Sequence, residues 1–260
     1  MRRHGGKMTE QQYCEILKTK INVTNMQDTL AYIDKHLDAL RGNYICVSNV
    51  HTTVMSYKNK KYRAIQNSAA MTLPDGAPLS RYSRRMGFRD AERVAGPDLM
   101  VELFRLSPQK GYRHFFYGAT QQTLNAMRSA LERDYPGIAI AGMYAPPFRP
   151  LTAEEDAKII QKINDTAPDF VWVGLGAPKQ EEWMYVHRKK LCAVSLGVGA
   201  GFDYLAGNIK RAPRIMQKFC LEWLYRLLQD PKRLWKRYVT TNAQFIWYLL
   251  RERTTKKDGR

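Results

Sequence analysis

From Asp169 to Leu196 the chain reads DFVWVGLGAPKQEEWMYVHRKKLCAVSL: an apolar run ending at Gly174, a turn, a helix-length middle and a second apolar run. The two runs, Asp169 to Gly174 and Cys192 to Leu196, are short and mostly apolar, as strands covered on both faces are. Lys179 to Arg188 between them is expected to be a helix. Strand, crossover helix and strand form a right-handed βαβ unit, which places both strands in a parallel sheet. Outward from this unit the alternation continues. Strands are expected over Tyr44 to Ser48, Ala70 to Leu73, His114 to Tyr117 and Ile138 to Gly142. Helices are expected over Asn25 to Leu40, Ser56 to Ser68, Asp98 to Arg105, Gln121 to Asp134 and Ala153 to Asn164. In the first helix Met26, Leu30, Ile33, Leu37 and Leu40 recur at helical spacing, with Thr24 or Asn25 as N-cap. The fold class is therefore α/β and Rossmann-like, with a largely parallel sheet covered by helices.

Beyond Gly207 the pattern changes. Arg211-Ala212-Pro213 interrupts the chain, Arg214 to Gln229 reads as an amphipathic helix, and Asp230-Pro231 restarts it into a second helix over Lys232 to Arg253. Phe219, Trp223, Trp235, Tyr238, Phe245 and Trp247 are interleaved there with Arg214, Lys218, Arg226, Arg233, Lys236 and Arg237. The chain thus divides into a Rossmann-like unit, residues 1–207, and a basic, aromatic helical appendage, residues 208–260. Of the formal net charge of +18, the appendage carries +10, with fourteen Lys/Arg against four Asp/Glu. Such a charge selects an anionic partner: nucleic acid, an acidic membrane surface or a phosphate-bearing substrate. The composition suits helices lying at a membrane interface, and it equally suits aromatics packed on the main unit or on another subunit of a homo-oligomer. The run Phe245 to Leu250 is far below the roughly 20 apolar residues of a spanning helix.

Cys14, Cys46, Cys192 and Cys220 show no C-x-x-C spacing and read as reduced thiols of a cytosolic protein. Met1-Arg2-Arg3-His4 is basic but no apolar stretch follows it, so a secretory or twin-arginine signal is not expected. Met8 is an alternative start.

Four segments carry polar groups at expected strand ends. Val47-Ser48-Asn49-Val50-His51 ends the first strand with an amide that can both donate to and accept from sugar hydroxyls. Pro74-Asp75-Gly76 offers a carboxylate, although this tripeptide is also what a plain turn prefers. Glu92-Arg93-Val94-Ala95-Gly96-Pro97-Asp98-Leu99 offers a guanidinium, with Gly96 and Asp98 read as shaping the turn and capping the next helix. Gly174-Leu175-Gly176-Ala177-Pro178-Lys179-Gln180-Glu181 follows a strand and precedes a helix, so its backbone N–H groups can approach a phosphate. As a dinucleotide fingerprint that last segment is incomplete, with Lys179 where a third glycine would stand. Gly197 to Asp203 is a further glycine-rich strand end. No Asp-x-Asp, zinc-spaced cluster, nucleophile elbow or P-loop is present in the sequence.

In order and spacing these four segments resemble the WecG/TagA/CpsF family of bacterial glycosyltransferases, from roughly Asn43 to Pro213. The resemblance implies an inverting, metal-independent transferase with no cofactor, moving a hexose-type sugar from a UDP-sugar to a polyprenyl-diphosphate-linked saccharide for cell-surface polysaccharide. It implies Asp75 as general base and Arg93 as an active-site cation, with Asn49, Gly76, Gly174, Gly176, Lys179, Gln180 and Glu181 around the substrate. Arg211 and Arg214 would neutralise diphosphate charge. The appendage would close over the site and meet an anionic membrane, making the enzyme cytoplasmic and peripherally attached to the inner face of the plasma membrane. Many members have threonine two residues before the asparagine. Here Val47 stands there, so any hydroxyl contact comes from Ser48, Thr52 or Thr53 instead, or is absent.

Two other classes stay open. An NAD-dependent sugar-nucleotide epimerase or dehydrogenase would share the sheet and often carries Tyr-x-x-x-Lys, a spacing met at Tyr57/Lys61 and Tyr185/Lys189. A nucleic-acid-binding protein would explain the charge and the aromatic tail but gives Pro74-Asp75-Gly76 and Glu92 to Leu99 no purpose, so no nucleic acid is expected as partner. The sugar, the acceptor and the oligomeric state are not legible in the sequence.

Overall fold

A computed structural model describes residues 11–213, 215–216 and 221–257. Arg214, Lys218, Phe219, Cys220 and residues 1–10 lie outside them, as do the side chains of Arg233 and Arg237. Six strands form one parallel sheet in the order β4-β3-β8-β7-β5-β6. They are β3 (Tyr44–Ser48), β4 (Met71–Pro74), β5 (Arg113–Gly118), β6 (Ala139–Tyr144), β7 (Phe170–Gly174) and β8 (Val194–Gly197). A separate antiparallel hairpin, β1 (Tyr13–Ile16) and β2 (Thr19–Asn22), precedes them.

Val171, Trp172 and Val173 of β7 are completely buried, which is why this strand reads as an unbroken apolar run. Phe170 and Trp172 point into one core with α1 (Met26–Leu40), α5 (Gly96–Lys110), α6 (Gln121–Asp134) and α9 (Gly201–Leu205). Val171 and Val173 point into the other, with α3 (Lys60–Asn67), α7 (Ala153–Asp165) and α8 (Lys179–His187). His114 of β5 is buried in the first core with both ring nitrogens engaged. Trp172 Nε1 donates to Nδ1 at 3.1 Å, which leaves Nε2 to donate to Ser107 Oγ. Burial drives its pKa down to about 3, so the ring is neutral.

The helix expected over residues 56–68 is two helices, α2 (Val50–Lys58) and α3, because Asn59 closes the first and accepts from Tyr62 N to cap the second. A further helix, α4 (Ala77–Arg85), follows Asp75-Gly76 directly, and α5 begins at Gly96, ahead of the expected Asp98. Ala95 is its N-cap and no side chain caps it, so Asp98 does not do so. Cys14, Cys46 and Cys192 form no disulfide; Cys192 is exposed, ahead of β8.

Two helices close the described chain, α10 (Glu222–Gln229) and α11 (Pro231–Lys257). On α11, Leu234, Thr241 and Phe245 are buried, and Phe245 joins Cys14, Ile16, Leu17 and Ile21 of the hairpin with Val54 and Leu79 in a third core. Tyr57 and Tyr248 rings meet at 4.5 Å beside it. The opposite side of α11 leaves Trp235, Val239, Ile246, Trp247 and Leu250 more than half exposed. Among the described residues no helix is long and apolar enough to cross a membrane.

Candidate active site

In a parallel sheet all strands end on one rim, and ligands bind there, where successive crossovers leave to opposite faces. Here β3 and β8 are neighbours. The chain leaves β3 through α2 to α3, which packs in one core, and leaves β8 into α9, which packs in the other. The rim over β3, β4 and β8 is thus the crevice the topology selects. Gly96 closes it from below: a Cβ there would touch both Val47 at the end of β3 and Val198 after β8, at 3.5 and 3.6 Å.

Asp75 sits on this rim, its N–H donating to Ser48 O of the neighbouring strand at 2.8 Å. Arg93 reaches it from the segment before α5. Arg93 Nε donates to the Asp75 carbonyl oxygen at 2.6 Å, and Nη2 lies 3.5 Å from the Asp75 carboxylate. The same Nη2 donates to Glu222 Oε2 of α10 at 2.6 Å. Burial pushes the Asp75 carboxyl above the usual carboxylate range; Arg93 pulls it down, Glu222 up, Arg226 down and Asp98 up. For Arg93, burial alone would lower the pKa, but Asp75, Glu222 and Asp98 outweigh it and the guanidinium stays charged. Arg226, one turn after Glu222 on α10, lies 5.8 Å from the centre of the Tyr204 ring. Burial pushes the Tyr204 hydroxyl up to about 12, with Asp75, Glu222 and Arg226 all within its field. Arg211 pairs with Asp98 at 2.5 Å.

Three carboxylates and three guanidiniums therefore meet on one rim, Asp75, Asp98 and Glu222 with Arg93, Arg211 and Arg226. Sequence reasoning singled out Asp75, Arg93 and Arg211. It missed Glu222 and Tyr204 and took Arg226 for one more tail cation. The available signal was the Glu222/Arg226 spacing, which puts opposite charges on one helix face.

The remaining residues have more structural placements. Asn49 is the N-cap of α2, its Oδ1 accepting from His51 N and Thr52 N at 3.0 and 3.3 Å. Ser48, Thr52 and Thr53 are buried, Ser48 Oγ lies 2.9 Å from Thr52 Oγ1, and both threonine hydroxyls donate to Asn49 O. These buried hydroxyls are engaged in capping a helix. Gly76 is the N-cap of α4, and a Cβ there would lie 3.6 Å from Asn49. Gly174 is required by packing, since a Cβ there would lie 2.6 Å from the Phe202 ring. Gly176 has a left-handed φ of 76°. Lys179 begins α8 and is exposed. Gln180 and Glu181 are buried, and Gln180 Oε1 accepts from Gly176 N at 3.2 Å and Gly199 N at 3.0 Å, binding the loop after β7 to the loop after β8. Gln180 Nε2 in turn donates to Glu181 Oε1 at 2.8 Å. The crevice floor is thus held by a buried relay.

Burial pushes the Glu181 carboxyl up to about 7, with the Gln180 hydrogen bond opposing it. Its folded pKa exceeds its unfolded value of 4.5, so between those two values the folded state keeps a proton the unfolded state has lost. Stability falls as pH rises through that window, by about 3 kcal/mol in all. Glu181→Gln keeps the shape without the charge. Its stability advantage over wild type, measured by urea unfolding, is expected to be under about 1 kcal/mol at pH 5 and about 3 kcal/mol at pH 8. Parallel pH curves for the two proteins would refute this account of Glu181.

Comparison with known proteins identifies the family. The family model of the Glycosyl transferase WecG/TagA/CpsF family matches residues 14–259. The N-acetylglucosaminyldiphosphoundecaprenol N-acetyl-beta-D-mannosaminyltransferase of Bacillus spizizenii is 35% identical over 85% of this chain and 84% of its own. The proteins of that name from Bacillus subtilis and Staphylococcus aureus strain MW2 are 33% and 30% identical, over 90% and 85% of this chain and 90% and 86% of theirs. With the match spanning the sheet, the charged rim and both C-terminal helices, the chain belongs to the WecG/TagA/CpsF family of glycosyltransferases.

Proposed function

We propose that this glycosyltransferase moves a hexose-type sugar, N-acetylmannosamine by analogy with its relatives' names, from a UDP-sugar to a polyprenyl-diphosphate-linked saccharide with inversion and without a metal. The observation that carries the reading is Arg93 set across Asp75 on the strand rim, a base beside a fixed cation. In the reaction Asp75 takes the proton of the acceptor hydroxyl as that oxygen bonds to the anomeric carbon. The bond from that carbon to the UDP oxygen breaks on the opposite face, and the electron pair leaves with UDP. Arg93, Arg226 and Arg211 meet the diphosphate charge. Both Asp75 and Asp98 already face guanidinium groups, which supports side-chain cations in the place of a metal. Residues 208–260 act as an appendage that brings the site to the inner face of the membrane. The exposed Trp223, Leu228, Trp235 and Trp247 beside its excess of cations support that role.

The test is UDP release from a panel of UDP-sugars in EDTA, with a polyprenyl-diphosphate-linked N-acetylglucosamine as acceptor. Acceptor-dependent release that survives EDTA, and that is faster and salt-sensitive when the acceptor sits in anionic rather than neutral vesicles, is expected. No release with any donor overturns the transferase reading. Loss in EDTA overturns metal independence, and equal rates on both vesicles overturn the membrane role.

A further inference from the structure

Helix α10 brings a negative charge to a rim that already holds two. Glu222 is only 16% exposed, and its carboxylate lies 2.6 Å from Arg93 Nη2, against 3.5 Å from that nitrogen to Asp75. The guanidinium therefore hydrogen-bonds to the Asp75 backbone and to Glu222, and only leans toward the Asp75 carboxylate. A half-buried carboxylate beside Asp75 and Asp98 is costly unless a cation holds it, so the contact fixes the arginine as much as the arginine fixes α10. The far end of α10 is fastened independently: Gln229 Oε1 accepts from Lys210 N at 3.1 Å and Gln229 Nε2 donates to Lys210 O at 3.0 Å.

We propose that Glu222 is a positioning residue for the transfer reaction, holding the Arg93 guanidinium off the Asp75 carboxylate so that the base stays free to accept a proton. This rests on Asp75 being the base. A bidentate arginine directly on that carboxylate would satisfy its lone pairs and weaken it as a proton acceptor. With Glu222 drawing Nη2 outward, Arg93 remains oriented toward the crevice and Asp75 remains reactive.

The groups facing Asp75 are Arg93 from the segment before α5, Asp98 from α5, Tyr204 from α9, and Glu222 and Arg226 from α10. Of these, Glu222 and Asp98 raise the carboxyl and the two arginines lower it. Removing Glu222 takes away a raising charge and releases Arg93 onto Asp75, and both effects make the carboxyl more acidic.

The experiment is the pH profile of kcat, from pH 5 to 9, for Glu222→Ala, Glu222→Gln and Gln229→Ala beside wild type and Asp75→Asn. In Glu222→Ala the acid limb is expected to move about one pH unit to the acid side, with the plateau about tenfold lower and donor KM little changed. Glu222→Gln, which keeps an acceptor for Arg93, recovers part of the plateau while its limb stays shifted. Gln229→Ala loosens α10 without touching Arg93 and lowers the rate with the limb at its wild-type pH. A Glu222→Ala limb that does not move, or a Gln229→Ala limb that moves equally, overturns the proposal while Asp75→Asn is inactive. Activity retained in Asp75→Asn overturns instead the assignment of the base.

Discussion

Asp75→Asn is expected to lower kcat by about 10³-fold, with the fold intact and UDP affinity unchanged or slightly tighter. Asparagine fills the same volume, but its amide cannot take a proton from the acceptor hydroxyl. The loss is confined to chemistry because the contacts that build the rim at this position are made by the backbone. The residue 75 N–H donates to Ser48 O and its carbonyl accepts from Arg93 Nε, and neither depends on the side chain. Removing a carboxylate next to the expected diphosphate relieves like-charge repulsion, so binding does not suffer. Thermal unfolding, UDP titration and single-turnover transfer measured together separate these contributions. A variant that turns over at the wild-type rate sends the search for a base elsewhere on the rim.

Arg93→Ala is expected to cost about 10² to 10³-fold in kcat/KM near neutral pH, and lysine is not expected to restore it. A planar guanidinium meets the Asp75 carbonyl with one nitrogen and Glu222 with another while facing the Asp75 carboxylate. An ammonium on a flexible stem reproduces only one of these. The pH dependence gives the sharper signature. Arg93 holds the Asp75 carboxyl down against burial and against Glu222. Without it that carboxyl rises further and stays protonated to higher pH, so the acid limb moves to the alkaline side and the defect shrinks between pH 7 and pH 9. This direction is opposite to that expected for Glu222→Ala. Two neighbours of one base that shift its limb in opposite senses are hard to mimic by general damage. A limb fixed at the wild-type pH in Arg93→Ala would show that the arginine does not set the base.

The central strands and helices were legible because burial on both faces forces strands such as β7 into continuous apolar runs between helix-spaced segments. The helix expected over Gln121 to Asp134 has those bounds, with Thr120 as its N-cap. The hairpin was not legible. Its strands are four residues each and its turn residues, Leu17 and Lys18, adopt left-handed φ of 47° and 62° without the glycine or asparagine that usually marks such a turn. Helix α4 was hidden by Pro78 and by a start without a side-chain cap, which left Asp75-Gly76 looking like a loop. At the site, Asp75 and Arg93 stand 18 residues apart and were coupled only through the family resemblance. Glu222 is 129 residues from Arg93, and no local pattern announces a contact at that range. Gln180 and Glu181 were assigned to the nucleotide sugar by the family resemblance, and their burial was not legible. In the structure Gln180, backed by Glu181, braces the two loops together.

The third core joins the two ends of the chain. Cys14, Ile16 and Ile21 lie near its beginning and Phe245 near its end, yet they share one cluster with Val54 and Leu79 between them. During synthesis the sheet can assemble as its strands emerge, but this cluster cannot close until α11 has followed them out. Until then the hairpin lacks its final cover. Helix α11 thus covers the hairpin with one side while its other side presents Trp235 and Trp247, so seating the hairpin and displaying that apolar face are one event.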